Sequence, residues 1–210
     1  QHPQLLICEK PFCENSGQAQ NIASLFDIPI VINYTRRFCV QLQVLRDDII
    51  SGKYGKINSC NVIYTRGFRR DGCHGLDLCN WLFGDFQEGQ ILGTIYNTFN
   101  DYQDKDLTYP VWLEFDKCKN VFFTPANGEN YSIFEVDILT EKARIRIVEH
   151  GKEIDIYEPT KENVYGGFNS MYDYPVRIIK NTLERALSVL HLNCISYLIF
   201  TIQLKNIIRF

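Results

Sequence analysis

LLICEKPFCENS, residues 5–16, changes character twice within a short stretch. Leu5-Leu6-Ile7-Cys8 is a continuous apolar run, which suits a strand covered on both faces inside a parallel sheet. It stops at Glu9-Lys10-Pro11, and a helical pattern begins at Glu14. Ala19, Ile22, Ala23 and Phe26 then fall on one helical stripe, and Asp27 ends it. IPIVINY (28–34) is a second buried-looking strand. Strand, helix and apolar strand in this order predict a βαβ unit, right-handed as nearly all such units are.

Downstream, Phe38, Leu42, Leu45, Ile49 and Ile50 mark a second helix, with Gly52 as its C-cap. INSCNVIYTRG (57–67) reads as a strand leading into a Gly/Arg loop. DGCHGLDLCNWLFG predicts a short helix from Gly72–Cys73, with Leu78, Trp81 and Leu82 inward and Gly84 at its end. After residue 90 the segments 91–99, 109–116, 119–124, 132–138, 143–149 and 152–157 are β-rich. PANGEN (125–130) and VEHGKE (148–153) are expected to be hairpin turns, because glycine supplies positive φ. Residues 175–192 return to a helical pattern. The expected fold class is therefore α/β (α+β): a terminal βαβ piece, then an open, mostly antiparallel mixed sheet with helices on one face.

The 210 residues, 45% of them hydrophobic, suffice for a good core. A net charge of −3 provides no basic field, so nucleic acid is not an expected partner. Cysteines at 8, 13, 39, 60, 73, 79, 118 and 194 form no C-x-x-C pair and no Cys/His zinc spacing. No metal site is expected, and reduced thiols in a cytoplasmic protein are. In the tail, 192–210, the longest clean apolar run is about nine residues against the roughly 20 that a membrane span needs. No membrane partner is expected. A final strand, a buried helix and non-native sequence all remain open for this tail.

CEKP (8–11), NYTRRF (33–38) and GCHGLDLCNWLFG (72–84), in this order, resemble the glucose-fructose oxidoreductase and inositol dehydrogenase family, Gfo/Idh/MocA. The resemblance covers about residues 5–190. Residues 131–158 and the later YGGF are most similar to members acting on nucleotide-linked sugars in surface-polysaccharide biosynthesis. It implies a division into 1–35, the closing part of a Rossmann domain, 36–192, an α/β substrate and oligomerisation domain, and the unassigned tail 193–210. It further implies NAD or NADP as cofactor, a sugar or sugar-nucleotide substrate, and a homo-oligomer formed through the open sheet. No G-x-G-x-x-G follows a strand anywhere in the chain. With the missing initiator Met, this leads us to expect a fragment that binds dinucleotide weakly or not at all and is inactive alone.

The resemblance also assigns roles. Strands of a Rossmann sheet present their carboxyl ends to the cofactor, which puts Glu9, Lys10 and Pro11 beside the nicotinamide. Proline holds the residue before it extended, so the Lys10 side chain is aimed, and an X-Pro bond tolerates cis. Lys10 and His74 are the expected catalytic pair. Hydride leaves a carbinol carbon as its hydroxyl proton is taken, and a helix-start histidine suits that task in its neutral form. Asp77 would orient the ring or reach the sugar.

Tyr34, Arg36 and Arg37 shape the substrate side of the pocket, joined by Tyr165, where Gly166-Gly167 permits close approach. Where many members have an aspartate four residues before this histidine, the chain has Arg70, with Asp71 one place out of register. Arg70 suits an anionic substrate such as a sugar nucleotide or a uronate. It equally fits a second reading, a non-catalytic sugar-binding or oligomerisation module that keeps the family's sheet. A third, cysteine-based catalysis by Cys73, is weak because neighbouring helical residues do not face each other.

Overall fold

The structure, a computed structural model, describes residues 3–13, 15–93, 96–97 and 106–180. β1 (Leu6–Cys8) and β2 (Ile30–Ile32) pair in parallel, with α1 (Ser16–Ser24) between them. Asn15 caps α1, its Oδ1 accepting the Gln18 amide at 3.0 Å, and so satisfies a donor that the first helical turn leaves orphaned. The predicted stripe is corrected in part: Ala19 is buried, while Ala23 and Phe26 are exposed. Two short strands offer the helix too little surface to cover the whole stripe.

A 3-10 turn, Thr35–Phe38, leads into α2 (Val40–Ile50), then β3 (Ile57–Tyr64), α3 (Cys73–Phe83) and β4 (Phe86–Ile91). β5 (Tyr96–Asn97) and β6 (Leu107–Thr108) form a short pair. Next come β7 (Val111–Phe115), β8 (Cys118–Pro125), β9 (Phe134–Thr140), β10 (Arg144–Val148) and β11 (Glu153–Tyr157). A separate hairpin, β12 (Pro159–Tyr165) with β13 (Phe168–Met171), precedes β14 (Arg177–Ile179). The large sheet runs β14-β11-β10-β9-β3-β8-β7-β4. Its pairings are antiparallel except β3 with β8.

Alternation along the strands separates the sheet's two faces. Cys60, Val62 and Tyr64 of β3, with Val121 and Phe123 of β8, are buried in one core with Leu42 and Leu45 of α2 and Leu78 and Leu82 of α3. The opposite face leaves Phe122 and Leu139 exposed and carries the ion pairs Arg144–Asp137 and Arg146–Glu135. α3 lies close on the sheet at Gly75: a Cβ there would stand 2.6 Å from Val62 Cγ1 and 2.9 Å from Phe123 Cε1. Glycine thus sets the depth at which the neighbouring His74 sits.

Two local expectations change, and a third is met with an addition. PANGEN is no hairpin turn, because β3 lies between β8 and β9. The connection from β8 to β9 crosses the carboxyl end of β3, where the Ala126 amide reaches the Tyr64 carbonyl at 2.9 Å and the Ile133 amide reaches Thr65 Oγ1 at 3.1 Å. VEHGKE does close the β10–β11 hairpin, but Glu149 and His150 join Gly151 at positive φ. Within the predicted helix 175–192, residues 177–179 are instead the edge strand β14, paired with β11. Residues 181–192 and the tail lie outside the described residues. Among the described residues no helix is long and apolar enough to cross a membrane.

Candidate active site

A cleft of about 320 Å³ is lined by Arg36, Arg66, Asp71, His74, Ser132, Phe134 and His150. Its parts arrive from distant places in the chain. Arg36 comes from the turn after β2, Asp71 and His74 from the start of α3, Ser132 from the crossing connection, and His150 from the β10–β11 turn.

Lys10 leaves β1 through a cis Lys10–Pro11 peptide, and its Nζ donates to the Arg70 carbonyl at 2.7 Å, 60 residues away. That contact sets the ammonium beside the segment carrying Asp71 and His74. The His74 ring lies edge-on to Tyr34 at 6.0 Å and to Phe134 at 6.4 Å. It has no hydrogen bond among the described residues and does not pack under Trp81, which instead faces Arg46 at 5.4 Å. Burial, then Arg36, then Lys10, push the imidazole down to about 3, so it is neutral across the physiological range. Burial and two cations, rather than the dipole of the helix start, keep the ring neutral.

The residues before α3 resolve the register of the acid. Phe68–Gly72 is a single π turn, in which the Gly67 carbonyl accepts the Gly72 amide at 3.2 Å as well as that of Asp71 at 3.0 Å. A π turn inserts one residue into a helical path, and such insertions gather at functional sites. Here Asp71 lines the cleft, while Arg70 offers its carbonyl to Lys10. Asp106 holds the turn, accepting the Arg69 and Arg70 amides at 2.9 Å each. Burial raises the Asp71 carboxyl, opposed by Lys10, Arg70, Arg36 and His150.

Arg37 and Asp77, expected at the substrate, are committed to each other. Arg37 Nε lies 3.0 Å from both Asp77 oxygens and its Nη2 lies 2.7 Å from Oδ1. Asp77 therefore neither orients His74 nor faces the cleft. Tyr34 is half-buried, its phenol raised chiefly by burial. Tyr165 ends β12, and its side chain is not among those described. The cysteine reading falls away: burial drives the Cys73 thiol up to about 11, far from a thiolate.

Arg66, Ser132, Phe134 and His150 had no signal in the sequence. The nearest hint is the Gly/Arg loop after β3. Among the described residues no group of three or more His, Cys, Asp or Glu could hold a metal.

For a dinucleotide the fit is partial. Glu9 Oε1 accepts from Asn33 Nδ2 at 2.6 Å, and Asn33 Oδ1 is buried without a partner at the carboxyl ends of β1 and β2. An orphaned buried acceptor there suits the amide of a nicotinamide. No glycine-rich turn is present to take the pyrophosphate.

No protein-family model matches the chain. It is 29% identical over 111 residues to the rhizopine catabolism protein MocA of Rhizobium meliloti, covering 45% of this chain and 35% of that protein. Among solved structures, an inositol dehydrogenase homologue from Azotobacter vinelandii, complexed with NADH and myo-inositol, matches 83% of this chain and 49% of its own, with TM-score 0.57 and 13% identity. A levoglucosan dehydrogenase complexed with NADH and levoglucosan matches 83% and 54%, with TM-score 0.62 and 13% identity. The WlbA dehydrogenase of Bordetella pertussis, in complex with NADH and UDP-GlcNAcA, matches 68% and 51%, with TM-score 0.56 and 18% identity. The chain thus spans about a third of the length of the curated relative it matches and about half of each of these structures. It resembles the Gfo/Idh/MocA family in sequence and has the fold of these oxidoreductases.

Proposed function

We propose that the chain is the substrate-binding part of an NAD(P)-dependent oxidoreductase that acts on a hydroxyl or carbonyl of a sugar or sugar nucleotide. The observation that carries this reading is the Lys10 contact with Arg70, which joins the end of β1 to the π turn bearing Asp71 and leading to His74. The complexes of the structural neighbours, with NADH and with inositol, levoglucosan or UDP-GlcNAcA, support it.

In this reading Lys10 holds the reacting sugar oxygen and steadies the negative charge that develops on it. His74, kept neutral, accepts the hydroxyl proton. Asp71, rather than Arg70, is the acid beside it. Glu9 and Asn33 would hold the nicotinamide end of the cofactor, which when bound takes or gives the hydride. Asp71 in the cleft supports the catalytic reading over that of a non-catalytic module.

The test is Lys10→Met in a protein that carries a glycine-rich dinucleotide turn ahead of residue 5. Turnover of NAD(P)H with a panel of sugars and sugar nucleotides is expected to fall about 100- to 1000-fold in kcat/KM, the usual loss for one oxyanion donor. Unchanged turnover would remove Lys10 from the chemistry. The 210 residues alone, without that turn, are expected to bind NADH weakly by isothermal titration. Micromolar affinity would contradict the partial fit described above.

A further inference from the structure

Arg36 and Arg66 are the two guanidinium groups of the cleft, and neither has a carboxylate within ion-pair distance among the described residues. Arg36 is the more unusual. Its guanidinium lies 4.2 Å from the centre of the Phe134 ring, Nη2 donates to the His150 carbonyl at 3.0 Å, and its buried Nε makes no hydrogen bond. Burial lowers its proton affinity to a pKa of about 10, so its charge is held there at a cost. The adjacent Arg37, by contrast, has its carboxylate in Asp77. A partly buried cation, its Nε shut off from water and left without a counter-ion beside an open cavity, marks a place where a ligand supplies the missing charge.

We infer that Arg36 and Arg66, with His150 at the rim, form a subsite for the carboxylate of an acidic sugar, so that the substrate is a uronate-type compound. This deepens the oxidoreductase reading and rests on it. Two guanidinium groups, with the Lys10 ammonium nearby, against the one carboxyl group of Asp71 leave the site net positive, which calls for an anionic group on the sugar. The volume, about 320 Å³, is at the lower end of small-molecule sites, roughly 300 Å³, and suits one pyranose ring. A carboxylate there would also offset Arg36, one of the two cations that disfavour proton uptake by His74.

The experiment is isothermal titration of the 210-residue chain, without nicotinamide, with D-glucuronate, D-glucose and D-glucose 6-phosphate. Glucuronate is expected to bind at least tenfold more tightly than glucose and than the phosphate ester. Arg66→Met is expected to reduce the preference over glucose to less than twofold. Arg66 is half-exposed and lies in a loop, so this variant tests the subsite while leaving Arg36, with its buried Nε, in place. Equal binding of the three sugars, no binding of any, tighter binding of the phosphate, or an undiminished preference in the variant would each overturn the acid subsite. Because hydride transfer is not measured, these outcomes are distinct from failure of the Lys10→Met turnover test.

Discussion

Asp77→Ala is expected to lower the unfolding free energy by about 3 kcal/mol, because it leaves the Arg37 guanidinium without its counter-ion. Breaking a buried ion pair on one side typically costs about 3–5 kcal/mol. The Arg37 side chain is 29% exposed and Asp77 only 10%, so water recovers part of the loss and the lower end applies. Burial raises the Asp77 carboxyl in spite of its bond to Arg37. Desolvation therefore outweighs the attraction, and the pair as a whole adds little net stability. The double variant Arg37→Met/Asp77→Leu is accordingly expected to return to within about 1 kcal/mol of the parent, as apolar replacements of buried pairs often do. Urea denaturation of the three proteins at pH 7 reads both numbers. An Asp77→Ala variant as stable as the parent would show that the pair is not held as described.

The second large effect is acid sensitivity due to His74. Its folded pKa, about 3, lies below the unfolded value of about 6.5. Between these two values the unfolded chain binds more protons than the folded one, so stability rises with pH and is lost as pH falls below about 6.5. The slope is at most about 1.4 kcal/mol per pH unit for one proton. From pH 6.5 to 4.5 the parent is therefore expected to lose about 2–3 kcal/mol more than His74→Gln, which has no proton to gain. Asp71 and Asp77, both raised by burial, act with the opposite sign and are present in both proteins. Comparing urea midpoints of parent and variant at the two pH values isolates the histidine. Equal losses in the two proteins would mean that the ring is solvated rather than enclosed by Tyr34, Phe134 and Arg36.

Local chemistry accounts for how much was legible. The βαβ unit, α2 and α3 follow from apolar spacing and from Gly52 and Gly84 at helix ends, features that a few neighbouring residues determine. The arrival of Lys10 near α3 was anticipated only through the family resemblance. PANGEN carries the residues of a hairpin turn yet joins strands that do not pair, because β3 pairs in parallel with β8 and separates it from β9. That choice follows from which apolar faces meet in the core, and no turn residue encodes it.

The sequence by itself determined the βαβ unit, α2, β3 and α3, and that Lys10 and His74 stand at element ends, but not the strand β4 or the π turn before α3. Tertiary structure alone decided that Asp71 and not Arg70 lines the cleft, that Arg37 and Asp77 satisfy each other, and that Arg66, Ser132 and His150 share its wall. The physical reason is range. Helix and strand periodicity are written within a few residues, whereas the partner of a charge is set by whatever the folded sheet brings within a few ångströms of it.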